Sequence, residues 1–332
     1  MIPRLLAALD RRPLDRPPIW IMRQAGRYLP EYRELRTRHT FQEAVSTPAV
    51  AAEISLQPLR RFGLDGAVIF ADIMTPLEAM GVEMTFDPGP RLTPMTVGEV
   101  AALPELLPER VEFVAETIRR VRSELAPEVA VIGFAGAPLT LLAYLVEGGG
   151  SKDFVDLRAV LYHDSSAAAE ALSVLARAMN RYLDLQVTAG AQVVQLFDTW
   201  AGTLSTDHYA ALAVPAAKAS LAGLTAPTIY FAPGASATLA TQVAIGATAY
   251  GVDWRLPLTD AWKELGEVAV QGNLDPAVLL TDPETVRREA VNLLVSVGGR
   301  GGHIFNLGHG IDRRTPIDNV AALVEAVRSY QT

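Results

Sequence analysis

Arg23, Gln24 and Arg27 follow directly on an uninterrupted apolar run, IWIM at 19–22. A buried strand ending there would point two guanidiniums and an amide into one small space. Gly26 and Pro30 work against a continuous helix through the segment. Like charges held this close repel, by about 0.2–0.5 kcal/mol when exposed and by more when buried. An anion bound between them would offset that cost. Arginine suits the task because its planar fork grips a carboxylate through two parallel hydrogen bonds. The competing reading is surface pairing with Glu31 and Glu34.

Three further residues carry possible chemistry. Asp72 ends the run VIFA at 68–71, and a carboxylate at the end of a buried strand is costly unless paired or hydrogen-bonded. It would alternatively cap the helical pattern that begins at Met74, Pro76 and Leu77. Tyr144 lies in the apolar helix LLAYLV, where a phenol needs only one partner to be a core residue. His309 sits in NLGHG, between glycines that allow close backbone approach, and can hold a carboxylate or serve as a turn residue. Two patterns carry no such chemistry. The run GGGSK at 148–152 lacks the glycine and lysine spacing of a phosphate loop and reads as a mobile loop opening the helix that starts near Asp153. The histidines at 39, 163, 208, 303 and 309 have no ligand spacing, and no cysteine accompanies them, so no metal site is expected.

The elements that must hold these residues can be read from the same chain. Continuous apolar runs suited to strands buried on both faces occur at 19–22, 67–70, 129–134, 192–197, 228–231, 248–252, 268–271 and 303–306. Helical patterns separate them, among them 48–62, 109–125, 165–188, 207–224, 283–297 and 316–330. Eight strand-and-helix units predict one (β/α)8 barrel spanning 1–332 as a single domain, with the active-site cleft at the C-terminal ends of the strands. A doubly wound open sheet would need an early glycine fingerprint, and there is none. The glycines at 298–302 precede a strand and read as a helix stop and turn.

Composition narrows the function classes. Half of the 332 residues are hydrophobic, enough for a substantial core. The absence of cysteine excludes disulfides and thiolate metal sites and fits a reducing compartment. The N-terminal apolar run is too short for a signal peptide. Two long uncharged stretches, 129–146 and 219–252, are broken by Gly and Pro, so no membrane span is expected. The net charge is −8, yet residues 1–40 hold nine Arg against four acids. An acidic protein with a basic head makes a poor nucleic-acid binder but can hold an anionic small molecule at that end. With only three lysines against 26 arginines, part of this arginine usage reflects coding bias.

The segment 19–33 resembles the N-terminal signature of the uroporphyrinogen decarboxylase family. The resemblance recurs in order in FADIM (70–74), GAPLTLLAYLVEGGGSKDF (136–154), FDTWAG (197–202), QGNLDP (271–276) and FNLGHGI (305–311). It implies a cytoplasmic carboxy-lyase, a homodimer with no cofactor, that removes CO2 from the four acetate side chains of uroporphyrinogen III to give coproporphyrinogen III. It places Asp72 at the centre of the site facing the pyrrole N–H groups and Tyr144 in the pocket. It gives Thr199 a binding role, and Arg23, Gln24, Arg27 and His309 the substrate carboxylates. It also points to Arg23 as the proton donor, against the poor match of a pKa above 12 to acid catalysis at neutral pH. A corrinoid-dependent methyltransferase on the same barrel would use thiolate-bound zinc, which this chain lacks. A tetrapyrrole carrier is the non-catalytic alternative.

Overall fold

In the computed structural model, which describes residues 2–86 and 89–331, the segment AVIGFAG at Ala130–Gly136 is a strand with every residue buried. That is the pattern of a strand covered on both faces. The strands are β1 (Gly66–Val68), β2 (Met84–Phe86), β3 (Pro90–Leu92), β4 (Ala130–Gly136), β5 (Val193–Phe197), β6 (Thr228–Phe231), β7 (Ala249–Gly251), β8 (Ala269–Leu274) and β9 (His303–Leu307). Among the described residues, β1 and β4 to β9 form one parallel seven-stranded sheet in the order β1-β4-β5-β6-β7-β8-β9. β2 and β3 make a separate antiparallel hairpin that the apolar runs did not announce.

The sheet curls. Side chains from β4 to β9 meet Trp20 and Met22 in one buried cluster on its concave side. Ile19 and Ile21 pack into a different cluster, against the helices Pro283–Val297 and Ile317–Ser329. The alternation along 19–22 is therefore that of a strand. Its pairing is not. Ile19 makes only an isolated parallel bridge to Phe305, and its carbonyl accepts the N–H of Asp65, 2.8 Å away. The expected strand at 19–22 fails to form a ladder because its donors are absent or occupied. Pro17 and Pro18 have no N–H. The Ile21 N–H is taken by Gln24 Oε1 and the Met22 N–H by Asn306 Oδ1, both at 3.0 Å. Arg16 and Asp65, a bidentate pair at 2.7 and 2.9 Å, clamp the segment to the start of β1.

The helices Pro48–Phe62, Ser165–Thr188 and Pro283–Val297 have the bounds their periodicity predicts. The pattern at 109–125 divides into a tight turn, Pro108–Val111, and the helix Glu112–Glu124. The pattern at 207–224 widens into a π turn at Tyr209–Ala213, just ahead of Pro215, which has no N–H for a helical bond. The glycine run at 298–302 stops a helix as expected, with Gly298 left-handed at φ 64°. The run at 148–152 is held rather than free: Gly149 bridges Arg91, and the Gly148 carbonyl accepts the Leu92 N–H. The helix beyond it starts at Val155, because Phe154 is itself left-handed at φ 48°.

Candidate active site

Arg23 stands at the end of the 19–22 segment with φ 61°, a conformation rare for a residue with a side chain. Non-glycine residues held there concentrate at functional sites. Its side chain is exposed and makes no hydrogen bond or ion pair among the described residues, and the same holds for Arg27. The alternative of surface pairing does not hold, because other arginines occupy both candidate acids: Glu31 pairs with Arg61 at 2.8 Å and Glu34 with Arg38 at 2.9 Å. Both guanidiniums are left without an ion-pair partner among the described residues.

Gln24 has a different occupation. It is buried, and both ends of its amide are used by the fold, Oε1 accepting from Ile21 and Nε2 donating to the Gly66 carbonyl at 3.0 Å. Its place is that of a brace between the 19–22 segment and β1, which turns Arg23 outward.

Asp72 lies beyond β1 in the turn before the helix Thr75–Ala79. Oδ1 accepts the Met74 N–H at 2.8 Å, so the expected cap is real but engages one oxygen. Oδ2 makes no hydrogen bond among the described residues. Burial pushes the carboxyl up to about 6, with the Glu78 charge adding to the rise; the Met74 N–H and the Arg23 charge work against it. Asp72 also lines a cavity of about 410 Å³ shared with Phe41, Thr75, Glu78 and Arg110.

Tyr144 projects from the helix Pro138–Glu147, two residues beyond β4. Burial raises its phenol, and the charges of Asp72 and Arg23 both reach it. Its ring meets Trp200 edge-on at 5.9 Å, and Trp200 in turn packs on Phe154 at 4.5 Å. His309 follows β9 and is half-buried. Burial lowers its pKa, the charges of Arg23 and Arg255 lower it further, and Asp253 opposes them. The imidazole is thus neutral at pH 7 and offers an N–H donor. Thr199, just past β5, is half-buried with its hydroxyl unused by the fold. Arg23 is the common member: its charge acts on Asp72, Tyr144 and His309 alike.

One layer deeper lies a network that the motif FDTWAG left unexplained. Asp198 is fully buried and accepts from Thr140 Oγ1 at 2.8 Å and from the Tyr230 hydroxyl at 2.7 Å. The Tyr230 hydroxyl also shares a hydrogen bond with that of Tyr209, which the π turn presents. Burial raises the Asp198 carboxyl to about 6. Thr140 is one turn before Tyr144 and also accepts the Trp200 N–H at 3.3 Å, so the network fixes the Tyr144 helix against the loop carrying Thr199. The sequence marks Asp198 as a polar residue at a strand end within the motif, which does not identify its partners. Asp253, which the sequence places at a strand end, adjoins His309; its pairing with Arg255 had no signal in the sequence.

Such an arrangement suits a polyanionic substrate with one site of positive charge. Unpaired guanidiniums and an imidazole N–H can hold carboxylates, and a carboxylate facing them can stabilise a cation. Among the described residues, no three His, Cys, Asp or Glu side chains converge as metal ligands.

Comparison with known proteins agrees in kind. The family model "Uroporphyrinogen decarboxylase (URO-D)" matches residues 2–330. Uroporphyrinogen decarboxylase of Carboxydothermus hydrogenoformans is 43% identical over 98% of this chain and 96% of its own length. That of Chromohalobacter salexigens is 44% identical over the same shares. Among solved structures, a methyltransferase from Methanosarcina mazei superposes with a TM-score of 0.83 at 23% identity, covering 98% of both chains. A B12-independent methionine synthase from Shewanella reaches 0.60 at 12% identity, covering 86% of this chain and 89% of its own. At these identities the solved structures establish the shared fold alone.

Proposed function

The chain belongs to the uroporphyrinogen decarboxylase family, and from that premise we propose that it converts uroporphyrinogen III to coproporphyrinogen III. In each round a proton adds to the ring carbon that lies between the nitrogen and the acetate-bearing carbon, leaving a cationic ring whose charge is conjugated to the carbon that carries the acetate. The bond between the acetate methylene and its carboxylate then breaks; CO2 leaves and the electron pair neutralises the ring. A second proton on the exposed methylene, with loss of the first from the ring carbon, completes the methyl group. One proton is consumed per CO2 released. The substrate is its own electron sink, so the reading requires no cofactor.

Asp72 faces the ring N–H groups and balances the cation. Its free Oδ2 and the reach of the Arg23 charge to it support this role. Arg23, Arg27 and the neutral His309 hold carboxylates, Thr199 and Tyr144 add hydroxyl contacts, and Gln24 acts through the backbone that orients Arg23. Arg23 also positions the incoming proton. The observation that carries the reading is the unpaired Arg23 guanidinium acting on Asp72, Tyr144 and His309 together.

The frame belongs to the proposal as well. Residues 18–22 serve as the eighth stave of one (β/α)8 domain, a reading supported by the in-and-out alternation of 19–22 and the Ile19 bridge. The protein works as a cytoplasmic homodimer, as the resemblance implies; sedimentation tests the assembly.

The deciding experiment incubates protein dialysed exhaustively against a chelator with uroporphyrinogen, then counts carboxylates on the product. Four fewer carboxylates support the decarboxylase. Tight binding without CO2 release makes the protein a carrier, and activity that returns only with zinc or a corrinoid overturns the mechanism.

A further inference from the structure

Asp253, two residues past β7, is almost wholly buried with both carboxylate oxygens engaged. Oδ2 accepts from the Gly234 N–H and from Arg255 Nη1 at 2.8 Å, and Oδ1 accepts the Arg255 N–H at 2.9 Å. The loop is braced from β8, where Asn273 Nδ2 donates to the Asp253 and Leu256 carbonyls at 2.8 and 2.7 Å. Gly308, at the end of β9, packs against the backbone of Asp253 and Trp254 so closely that any side chain there would collide. The Arg255 guanidinium lies over the Trp254 ring, 4.1 Å from its centre. The Trp254 and His309 rings meet nearly at right angles, with centres 6.1 Å apart.

Most arginines of this chain that form ion pairs do so with exposed acids. Arg255 is tied to an acid that is 2% exposed, while its own side chain is 52% exposed. The negative charge lies behind and the guanidinium in front. Nε and Nη2 make no hydrogen bond among the described residues. A side chain clamped between a buried carboxylate and an indole face has already lost most of its rotamer freedom, so a ligand gains more from binding it.

We propose that Arg255 is a further carboxylate-binding residue of the cleft, gripping an acid group of the substrate beside His309. This rests on the functional reading above, and it meets a need of that reading. A substrate with four acetates has more carboxylates than Arg23, Arg27 and His309 can each take singly. The effect of the Arg255 charge on His309 agrees with its closeness to the site.

The test compares wild type, Arg255→Gln and Arg255→Lys with uroporphyrinogen at low and high ionic strength. Gln keeps a donor for Asp253 and removes the charge. The proposal expects the KM of Arg255→Gln to rise about 3–10-fold, as for loss of one exposed charge-assisted contact. It also expects kcat to move less than twofold, the salt dependence of KM to flatten, and Lys to restore part of the affinity at an unchanged melting temperature. Unchanged KM and unchanged salt dependence in Arg255→Gln overturn it. So does a fall in kcat and melting temperature shared by Gln and Lys, which would make Arg255 a strut. If wild type releases no CO2, the functional reading falls and the Arg255 proposal is still judged, by the dissociation constants of uroporphyrinogen from wild type and Arg255→Gln.

Discussion

Arg23 lies across Gly310: a Cβ placed on that glycine would stand 2.5 Å from Arg23 Cδ and 3.0 Å from Nε. The backbone of Gly310 is not left-handed, so alanine is allowed there except for the arginine. Gly310→Ala is therefore expected to displace the Arg23 side chain at little cost in folding. Activity on uroporphyrinogen should fall about tenfold or more, because small misplacements of a positioning group are costly, while the melting temperature stays near wild type. Full activity in a folded Gly310→Ala protein would mean that Arg23 does not need this seat.

Asp72→Asn keeps the shape of the residue and its cap on Met74 but removes the charge on which Arg23 acts. Losing one preorganised electrostatic partner costs about 10²–10³ in rate, or about 3–4 kcal/mol. Single-turnover measurement on folded protein checks this, and unchanged turnover removes Asp72 from the mechanism.

The same substitution should make the protein more stable. Folding raises the Asp72 carboxyl from its ordinary 3.8 to about 6. A raised folded value favours the neutral form, so the stabilisation is complete below pH 3.8 and is lost as pH rises through 6. At pH 8 the half-buried charge opposes folding by at most about 3 kcal/mol. Asp72→Asn should then melt above wild type at pH 8, with the gap closing below pH 4. A lower melting temperature at pH 8 would show that the charge is stabilised in the folded protein.

A rate that needs the ionised carboxylate should also decline as pH falls. In wild type, kcat/KM should bend downward near pH 6 and lose about tenfold per unit below it. Asp72→Asn should lack this limb. A limb that persists in the variant belongs to Asp198, the other carboxyl held near 6.

Arg23 and Arg27 separate binding from chemistry. If both only hold carboxylates, replacing either by Lys raises KM and largely spares kcat. If Arg23 also positions the proton, Arg23→Lys lowers kcat at saturating substrate and Arg27→Lys does not. Neither parameter moving in either variant would make both arginines surface residues.

The chain by itself determined the elements whose signal is local. Apolar runs marked β1 and β4 to β9, and periodicity placed the helices Pro48–Phe62, Ser165–Thr188 and Pro283–Val297. A residue type standing just past a buried run marked Arg23, Asp72 and His309, because strand ends are where polar groups emerge. What only the tertiary structure decided depends on partners distant in sequence. The run 19–22 looks like a strand, but Asn306, 284 residues away from Met22, takes the N–H a ladder would have used. Glu31 looked available to Arg23 and Arg27 until packing gave it to Arg61 from another helix. Asp198 bonds to Thr140 and Tyr230, and Asp253 holds Arg255 against Trp254 beside His309. Hydrophobic periodicity records which face of an element is buried. It carries no information on which buried polar group meets which, since that pairing exists only once the strands lie side by side.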